Sequence, residues 1–217
     1  MAVTPDGSPV EAYLRLPPRG EAELVHSAIP SGAAILELGC GVGRVTHELI
    51  RLGHPVVAVD ESADMLAHVR GAETVHARIE ELDLPRRFQC VLFASHFVNT
   101  EDAERDMLLR TCVRHLAADG VVLIERYDPS WVPEGTARRI GEVGVTLRDV
   151  RIDGRRFSAV VDYEVDGRTW AQPFAAVLLD DAELDAALRR VGLRLARSLD
   201  EQGTWVEARI LGRIVAA

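Results

Sequence analysis

The residues with the most chemical promise form one short run, Ile35-Leu36-Glu37-Leu38-Gly39-Cys40-Gly41-Val42-Gly43-Arg44. An apolar stretch that reads as a strand feeds directly into glycines that open a helix. Glycines at such a junction let the backbone turn and approach a ligand with no Cβ in the way, and the helix start offers N–H groups without partners of their own. The spacing is Gly-x-Gly-x-Gly rather than the Gly-x-Gly-x-x-Gly that cradles a dinucleotide pyrophosphate. Glu37, two residues ahead of the first glycine, would repel a pyrophosphate but suits a ligand carrying an ammonium or a sulfonium. The next apolar run ends at Asp60, where a carboxylate can accept hydrogen bonds from both hydroxyls of a ribose. A nucleoside with a positive charge meets these conditions, and S-adenosylmethionine (SAM) is such a molecule.

Further candidates fall where later strands end. His96, in Ala94-Ser95-His96-Phe97-Val98-Asn99, could take a proton from an acceptor hydroxyl as a neutral imidazole, or simply hold a loop. Asn99 could orient His96, but capping the helix expected from Glu101 is the preferred reading. Glu125, Arg126, Tyr127 and Asp128 follow the fifth strand and face the same edge. Tyr13 and Arg15, near the start of the chain, could fold over the site or tether an N-terminal arm. His47-Glu48 lacks the second histidine of a zinc protease helix, and Asp128 has no carboxylate partner for magnesium, so no metal site is expected.

These residues need a scaffold that brings strand ends together. Ile35–Leu38, Val56–Val59, Thr74–Ala77, Phe88–Ala94 and Val121–Glu125 read as strands, and 43–52, 62–70 and 101–118 as helices. Strand and helix alternating at this spacing predict a parallel sheet covered on both faces. Beyond Tyr127 the pattern changes to three β-rich runs, Val145–Ile152, Arg155–Val165 and Arg168–Leu178. Asp153-Gly154 and Asp166-Gly167 join them, as type I′ hairpins would require. Trp131, Phe157, Trp170 and Phe174 in this region read first as packing residues, of which Trp170 and Phe174 are the candidates to line an acceptor pocket. A helix over Asp180–Val191 and strands over Leu193–Ser198 and Thr204–Leu211 complete the chain. Residues 1–33, with five prolines and one short helix over Gly20–Ala28, read as an arm or cap, and 34–217 as the main domain carrying the 145–178 insertion.

Composition narrows the function. The chain has 217 residues with a formal net charge of −9, and the 25 basic residues are all arginine. Without lysine there is no Schiff-base amine and no Walker phosphate ligand. The acidic balance argues against nucleic acid and anionic membranes as partners. Cys40, Cys90 and Cys112 are odd in number and form no Cys-x-x-Cys pair. The first residues lack the basic and apolar regions of a secretion signal, so cytoplasmic residence is expected.

The segments Glu37–Gly43, Val57-Ala58-Val59-Asp60-Glu61-Ser62, Met65-Leu66 and Phe88–Ser95 resemble the first four motifs of class I SAM-dependent methyltransferases. The resemblance covers about residues 35–127. With Tyr13-Leu14-Arg15-Leu16-Pro17-Pro18 ahead of it, the chain is similar to actinobacterial small-molecule methyltransferases, a type at home in secondary metabolism. The resemblance implies a Rossmann-like α/β sheet of seven strands in the order 3-2-1-4-5-7-6, the last strand antiparallel, here with a three-stranded antiparallel insertion. It implies that Gly39, Cys40, Gly41 and Gly43 surround the methionine and ribose of SAM, with Glu37 beside them and Asp60 on the ribose. Glu61, Met65, Arg78 and Ile79 would border adenine, with Ala94 and Ser95 closing the site. Arg78 stands where the family often has an aspartate that accepts from the adenine amino group, which an arginine cannot do.

The expected reaction is transfer of the sulfonium methyl to an oxygen or nitrogen of a small molecule, releasing S-adenosylhomocysteine. His96 is the candidate base, and Tyr13, Glu125, Tyr127, Trp170 and Phe174 are the candidate acceptor contacts. The expected state is a monomer or homodimer. A nicotinamide oxidoreductase is disfavoured by the glycine spacing and Glu37, while a SAM protein with a different reaction and a non-catalytic binding module share the same motifs.

Overall fold

A computed structural model of the chain describes residues 3–128, 130 and 137–212. The sheet begins with the glycine-loop strand. β1 (Ile35–Leu38) is buried along its whole length and pairs in parallel with β2 (Val56–Asp60) and β4 (Phe88–Phe93). Continuous apolar strands are what a sheet covered on both faces demands. β3 (Glu73–His76) lies outside β2, and β5 (Leu116–Glu125) lies beyond β4. The chain ends with β10 (Leu193–Ser198) and β11 (Trp205–Ile210), and β11 inserts antiparallel between β5 and β10. The resulting order is β3-β2-β1-β4-β5-β11-β10, which is the expected seven-stranded arrangement.

Helices cover both faces. α2 (Glu21–Ala28) and α3 (Arg44–Arg51) bury Val25, Val45 and Leu49 against one side of the sheet. α5 (Asp102–His115) and α6 (Asp181–Arg190) bury Leu108, Leu109, Leu184 and Leu188 against the other. α6 starts with a full capping box, Asp180 accepting from the Glu183 N–H and Glu183 returning the bond to the Asp180 N–H, as its Asp-x-x-Glu spacing requires. α4 (Ala63–Leu66) is much shorter than the 62–70 helix read from the sequence. The chain leaves α4 for a turn whose Arg70 N–H is taken by His47 Nε2 at 3.0 Å. α5 stops at His115, not 118. The buried His115 ring sits between the Thr111 carbonyl and the Leu84 N–H, and β5 starts at the next residue.

The insertion has four strands, not three, and runs over 137–177 rather than 145–178. β6 (Ala137–Ile140), β7 (Val143–Asp153), β8 (Arg156–Val165) and β9 (Arg168–Val177) form their own antiparallel sheet. β6 escaped the sequence reading because Ala-Arg-Arg-Ile is an exposed edge strand with no alternation to betray it. Trp131 lies outside the described residues. The β8–β9 turn is type I′ as expected, with positive φ at both Asp166 and Gly167. The β7–β8 turn is not. Its two central residues are Gly154 and Arg155, and only the glycine has positive φ, the pattern of a type II′ turn.

A six-residue helix, α1 (Val10–Arg15), joins the two sheets. Val10 packs with Val42 of the glycine loop and Met65 of α4, while Ala12 packs with Val143, Tyr163 and Val165 of the insertion. Farther up the arm, the buried Gln172 of β9 donates to Ser8 Oγ at 2.9 Å. At the other end Arg15 pairs with Glu142 at 2.7 Å.

Candidate active site

The carboxyl ends of β1, β2, β4 and β5 converge under α1. After β1, three glycines take positive φ, and a side chain at them would meet two different situations. A Cβ on Gly39 (φ 72°) would lie 2.3 Å from the Phe97 ring, and one on Gly43 (φ 85°) would meet His47 and Val69. Gly41 (φ 55°) faces open space, with nothing within 4 Å of the missing Cβ. Gly41 therefore presents bare backbone to open space, while the other two allow neighbouring parts of the protein to close up. Cys40 is buried in the loop, and burial pushes its thiol well above the ordinary range. That leaves it a neutral packing group.

Two carboxylates flank the loop. Glu37 is buried on β1, accepts from Thr46 Oγ1 at 2.6 Å, and is pushed by burial to a pKa of about 7. Asp60, at the end of β2, accepts from the Gly41 N–H at 2.8 Å and from the Ser62 N–H at 2.9 Å. Burial raises its pKa, opposed by those two N–H groups. Its carboxylate is thereby fixed across the mouth of the loop with lone pairs left for a diol. Glu61 is exposed, and its carbonyl accepts from His76 Nε2 at 2.9 Å. Met65 is buried under α1, and Ile79 is buried at the rim. The Arg78 side chain turns to solvent and pairs with Glu80 at 2.7 Å, which leaves only its backbone near the rim.

The second half of the site lies at β4 and β5. Ala94 is partly buried, and both Ser95 (φ 56°) and His96 (φ 59°) adopt the left-handed conformation. Two such residues in succession, neither of them glycine, are strained and must be held from outside. Glu125 at the end of β5 provides one hold by accepting the Ser95 N–H at 2.8 Å. Its other oxygen is 4.0 Å from His96 Nε2 and 3.8 Å from the Arg19 guanidinium. The His96 ring stacks on Tyr127 at 3.9 Å, and an edge-on series continues from Tyr127 through Phe157 to Phe174. Burial holds the His96 imidazole below its ordinary pKa; Glu125 opposes this and Arg19 reinforces it.

Asn99 does not cap α5. Glu101 occupies the N-cap position, and the Asn99 side chain instead joins the β5 end to the insertion. The structure brings Glu37, the glycine loop and Asp60 together, and sets His96, Glu125 and Tyr127 side by side. Tyr13 reaches this region from α1, with its ring 5.9 Å from that of Tyr163. Trp170 lies opposite Tyr163 on β9 and packs in the core between α1 and the insertion, whereas Phe174 contacts Phe157. Sequence reasoning missed Phe97 and Arg105. The Arg105 guanidinium is buried and donates to the Val98 carbonyl at 2.6 Å and to the Thr100 carbonyl, fixing the turn after His96. An arginine among ordinary helix residues gives no such signal.

A mixed seven-stranded sheet in this order, β11 antiparallel beside parallel strands, with a Gly-x-Gly-x-Gly loop leaving its first strand and a carboxylate ending its second, is the fold of the class I methyltransferases. Residues 35–120 match the methyltransferase domain family. A dTDP-3-amino-3,6-dideoxy-α-D-glucopyranose N,N-dimethyltransferase of Streptomyces fradiae is 34% identical over 158 residues, 67% of this chain and 62% of that protein. The chain thus spans under two thirds of that relative's length. A dTDP-3-amino-3,4,6-trideoxy-α-D-glucopyranose N,N-dimethyltransferase of Streptomyces venezuelae is 28% identical over 80% of this chain and 81% of its own. Among solved structures, the CcbJ methyltransferase of Streptomyces caelestis superposes with a TM-score of 0.74 at 21% identity, covering 96% of this chain and 93% of the other. Among the described residues, no helix is long and apolar enough to cross a membrane.

Proposed function

We propose that this chain is a SAM-dependent methyltransferase acting on the amine nitrogen of a small molecule in secondary metabolism, with a nucleotide-linked amino sugar as the favoured acceptor class. The observation that carries methyl transfer to a proton-bearing acceptor is the pair formed by His96 and Glu125, a neutral imidazole beside a carboxylate, at strand ends adjoining the glycine loop. The names of the two relatives support the acceptor class. In this reading residues 1–33 cap the domain formed by 34–217, and the insertion covers the acceptor.

The residues fit SAM. Gly39, Cys40 and Gly41 would line its methionine and ribose, with the open backbone at Gly41 allowing close approach, and Gly43 would start the helix behind them. Asp60 would hold the ribose hydroxyls, and Glu37 would compensate positive charge from below the loop. Glu61, Met65, Ile79 and the backbone of Arg78 would surround the adenine, with Ala94 and Ser95 at the far wall. When bound, SAM supplies an electrophilic methyl on a sulfonium.

The protein's own contribution is positioning and the proton. An amine reaches neutral solution as an ammonium, whose nitrogen has no lone pair to attack with. Neutral His96 accepts one proton from it at Nε2, and Glu125 stabilises the imidazolium that results. The freed lone pair would then be in place to take the methyl that bound SAM would supply, leaving a neutral thioether as the second product. Tyr13, Tyr127 and Phe174 would hold the acceptor in line and exclude water. A hydroxyl acceptor is the second reading, favoured by the same imidazole–carboxylate pair.

The test is incubation with SAM and dTDP-3-amino-3,6-dideoxy-D-glucose, with S-adenosylhomocysteine and the methylated sugar followed by mass spectrometry. SAM binding with no product from amine or hydroxyl acceptors would overturn the transferase reading. Failure to bind SAM in calorimetry would overturn the cofactor assignment as well.

A further inference from the structure

Asn99 sits in the turn after β4, buried to 1% exposure, and both branches of its amide are hydrogen-bonded. Nδ2 donates to the carbonyl of Val177, the last residue of β9, at 2.8 Å. Oδ1 accepts the main-chain N–H of Tyr127 at 3.0 Å. Its own N–H donates to the His96 carbonyl at 2.8 Å. One side chain thus binds the end of the insertion sheet to the residue on which the His96 ring stacks, and its backbone holds His96 itself. A primary amide is a side chain that donates from one branch and accepts on the other, and these two partners fix its orientation.

The surroundings make this joint more than a local brace. Asn99, Phe157 and Val177 line a cavity of about 420 Å³ between the start of α5 and the insertion. Phe157 also meets Tyr127 edge-on at 5.3 Å. Tyr127 therefore feels the insertion twice, once through the Phe157 ring and once through the Asn99 amide. At the cavity rim, Arg156 of β8 makes a two-pronged pair with Glu101, both contacts at 2.8 Å. The insertion sheet and the turn carrying His96 are thus joined at buried and exposed levels, and the buried joint is the one that reaches Tyr127.

We propose that Asn99 is a positioning residue for the acceptor: it sets the insertion against Tyr127 and His96, and acts on methyl transfer through them without touching either ligand of the reaction. This rests on the methyltransferase reading above. Its distinctive consequence concerns Asn99→Asp. An ionised carboxylate still accepts the Tyr127 N–H but faces the Val177 carbonyl without a hydrogen. A protonated carboxyl restores both bonds. Burial raises the pKa of the introduced group. Glu101 and Glu104 near it, with Asp153 of β7, push the same way. Arg105 of α5, Arg126 after β5, Arg151 of β7 and Arg156 of β8 oppose them, and His96 and Tyr127 complete the facing groups.

The test compares wild type, Asn99→Asp and Asn99→Ala with SAM and the dTDP-amino sugar. At about pH 8, both variants should lose roughly tenfold or more in kcat/KM for the sugar, while the Kd for SAM by calorimetry changes less than about twofold. Between about pH 8 and pH 6 the ratio of Asn99→Asp to wild-type kcat/KM should rise, and that of Asn99→Ala should stay flat. Calorimetric affinity for the sugar in the presence of S-adenosylhomocysteine should follow the same pattern without turnover. A flat Asn99→Asp ratio, a parallel loss of SAM affinity, or failure of Asn99→Asp to fold at any pH would overturn the proposal and leave Asn99 a stability residue. A wild-type chain that binds SAM but transfers no methyl would overturn the underlying reading and this inference with it, whereas wild-type turnover with a flat ratio would overturn the inference alone.

Discussion

The His96 imidazole lies flat against the Tyr127 phenol ring, centroids 3.9 Å apart and planes within 18° of each other. This contact half-buries the imidazole and leaves its Nε2 edge toward Glu125. A base that burial keeps neutral is ready to accept a proton at neutral pH, where an exposed histidine would already be partly charged on the acid side.

His96→Ala should lower kcat by about 100-fold or more with a hydroxyl acceptor, the usual scale for a general base, and by less with an amine supplied above its own pKa. SAM affinity should hardly change. In wild type, the acid limb of kcat/KM should fall below the ordinary histidine value, because burial favours the neutral ring. Steady-state rates across pH with both acceptor types check this, and near wild-type turnover in the variant would remove His96 from the proton path.

Asp60→Ala should weaken SAM by roughly 1.5 to 3 kcal/mol, the worth of charge-assisted hydrogen bonds. It also strips the Gly41 and Ser62 N–H groups of their acceptor, so the loop itself should loosen. Calorimetry beside a thermal melt separates the two effects. Unchanged SAM affinity in a folded variant would place Asp60 outside the site.

Glu37 carries a pH signature. Burial raises its folded pKa to about 7 from the ordinary 4.5 of a glutamate. The folded state therefore holds the proton more tightly than the unfolded chain, and the stability this gives is fully present below about pH 4.5 and lost as pH rises through about 7. Without SAM, the melting temperature of wild type should drop between these limits relative to Glu37→Gln. A cationic ligand favours the ionised carboxylate, so SAM binding near neutrality should release protons, seen as heats that vary with the ionisation enthalpy of the buffer. Heats independent of buffer would argue against contact between the charges.

Phe174→Ala should reduce acceptor affinity or turnover and leave SAM binding intact, because the ring ends the series that runs through Phe157 to Tyr127. Trp170→Ala should behave differently. Its ring packs with Tyr163 between α1 and the insertion, so loss of stability should accompany any loss of activity. Identical profiles for the two variants, in melts and in acceptor kinetics, would refute this division.

What the sequence disclosed follows from the range of the forces involved. The convergence of Glu37, Gly41 and Asp60 was legible because strand ends and turn glycines are set by neighbours a few residues away, and a parallel pair of strands then places those ends together. Arg78 was placed beside adenine only by resemblance, with a side chain that cannot accept a bond there, and its ion pair with Glu80 turns that side chain outward. Asn99 looked like a helix cap because a polar residue shortly before a helix so often is one. Its partners, Tyr127 and Val177, are 28 and 78 residues away, and no local pattern reports contacts of that span. β6 stayed hidden for a related reason, since an edge strand with four mostly exposed residues is defined by its neighbour β7 alone.

The arm that carries α1 closes a very long loop. Ser8 meets Gln172 across 164 residues, and Ala12 meets Tyr163. A chain made from its N-terminus cannot complete these contacts until the hairpin of β8 and β9 has left the ribosome, although the arm itself emerges first. Contacts of such separation form late and close slowly. During synthesis the glycine loop and its strands can assemble ahead of the roof above them, so the arrival of α1 should follow the assembly of β1 to β5. Truncating the chain after β5 should then yield nascent protein whose first 20 residues are open to protease while the strand core is not.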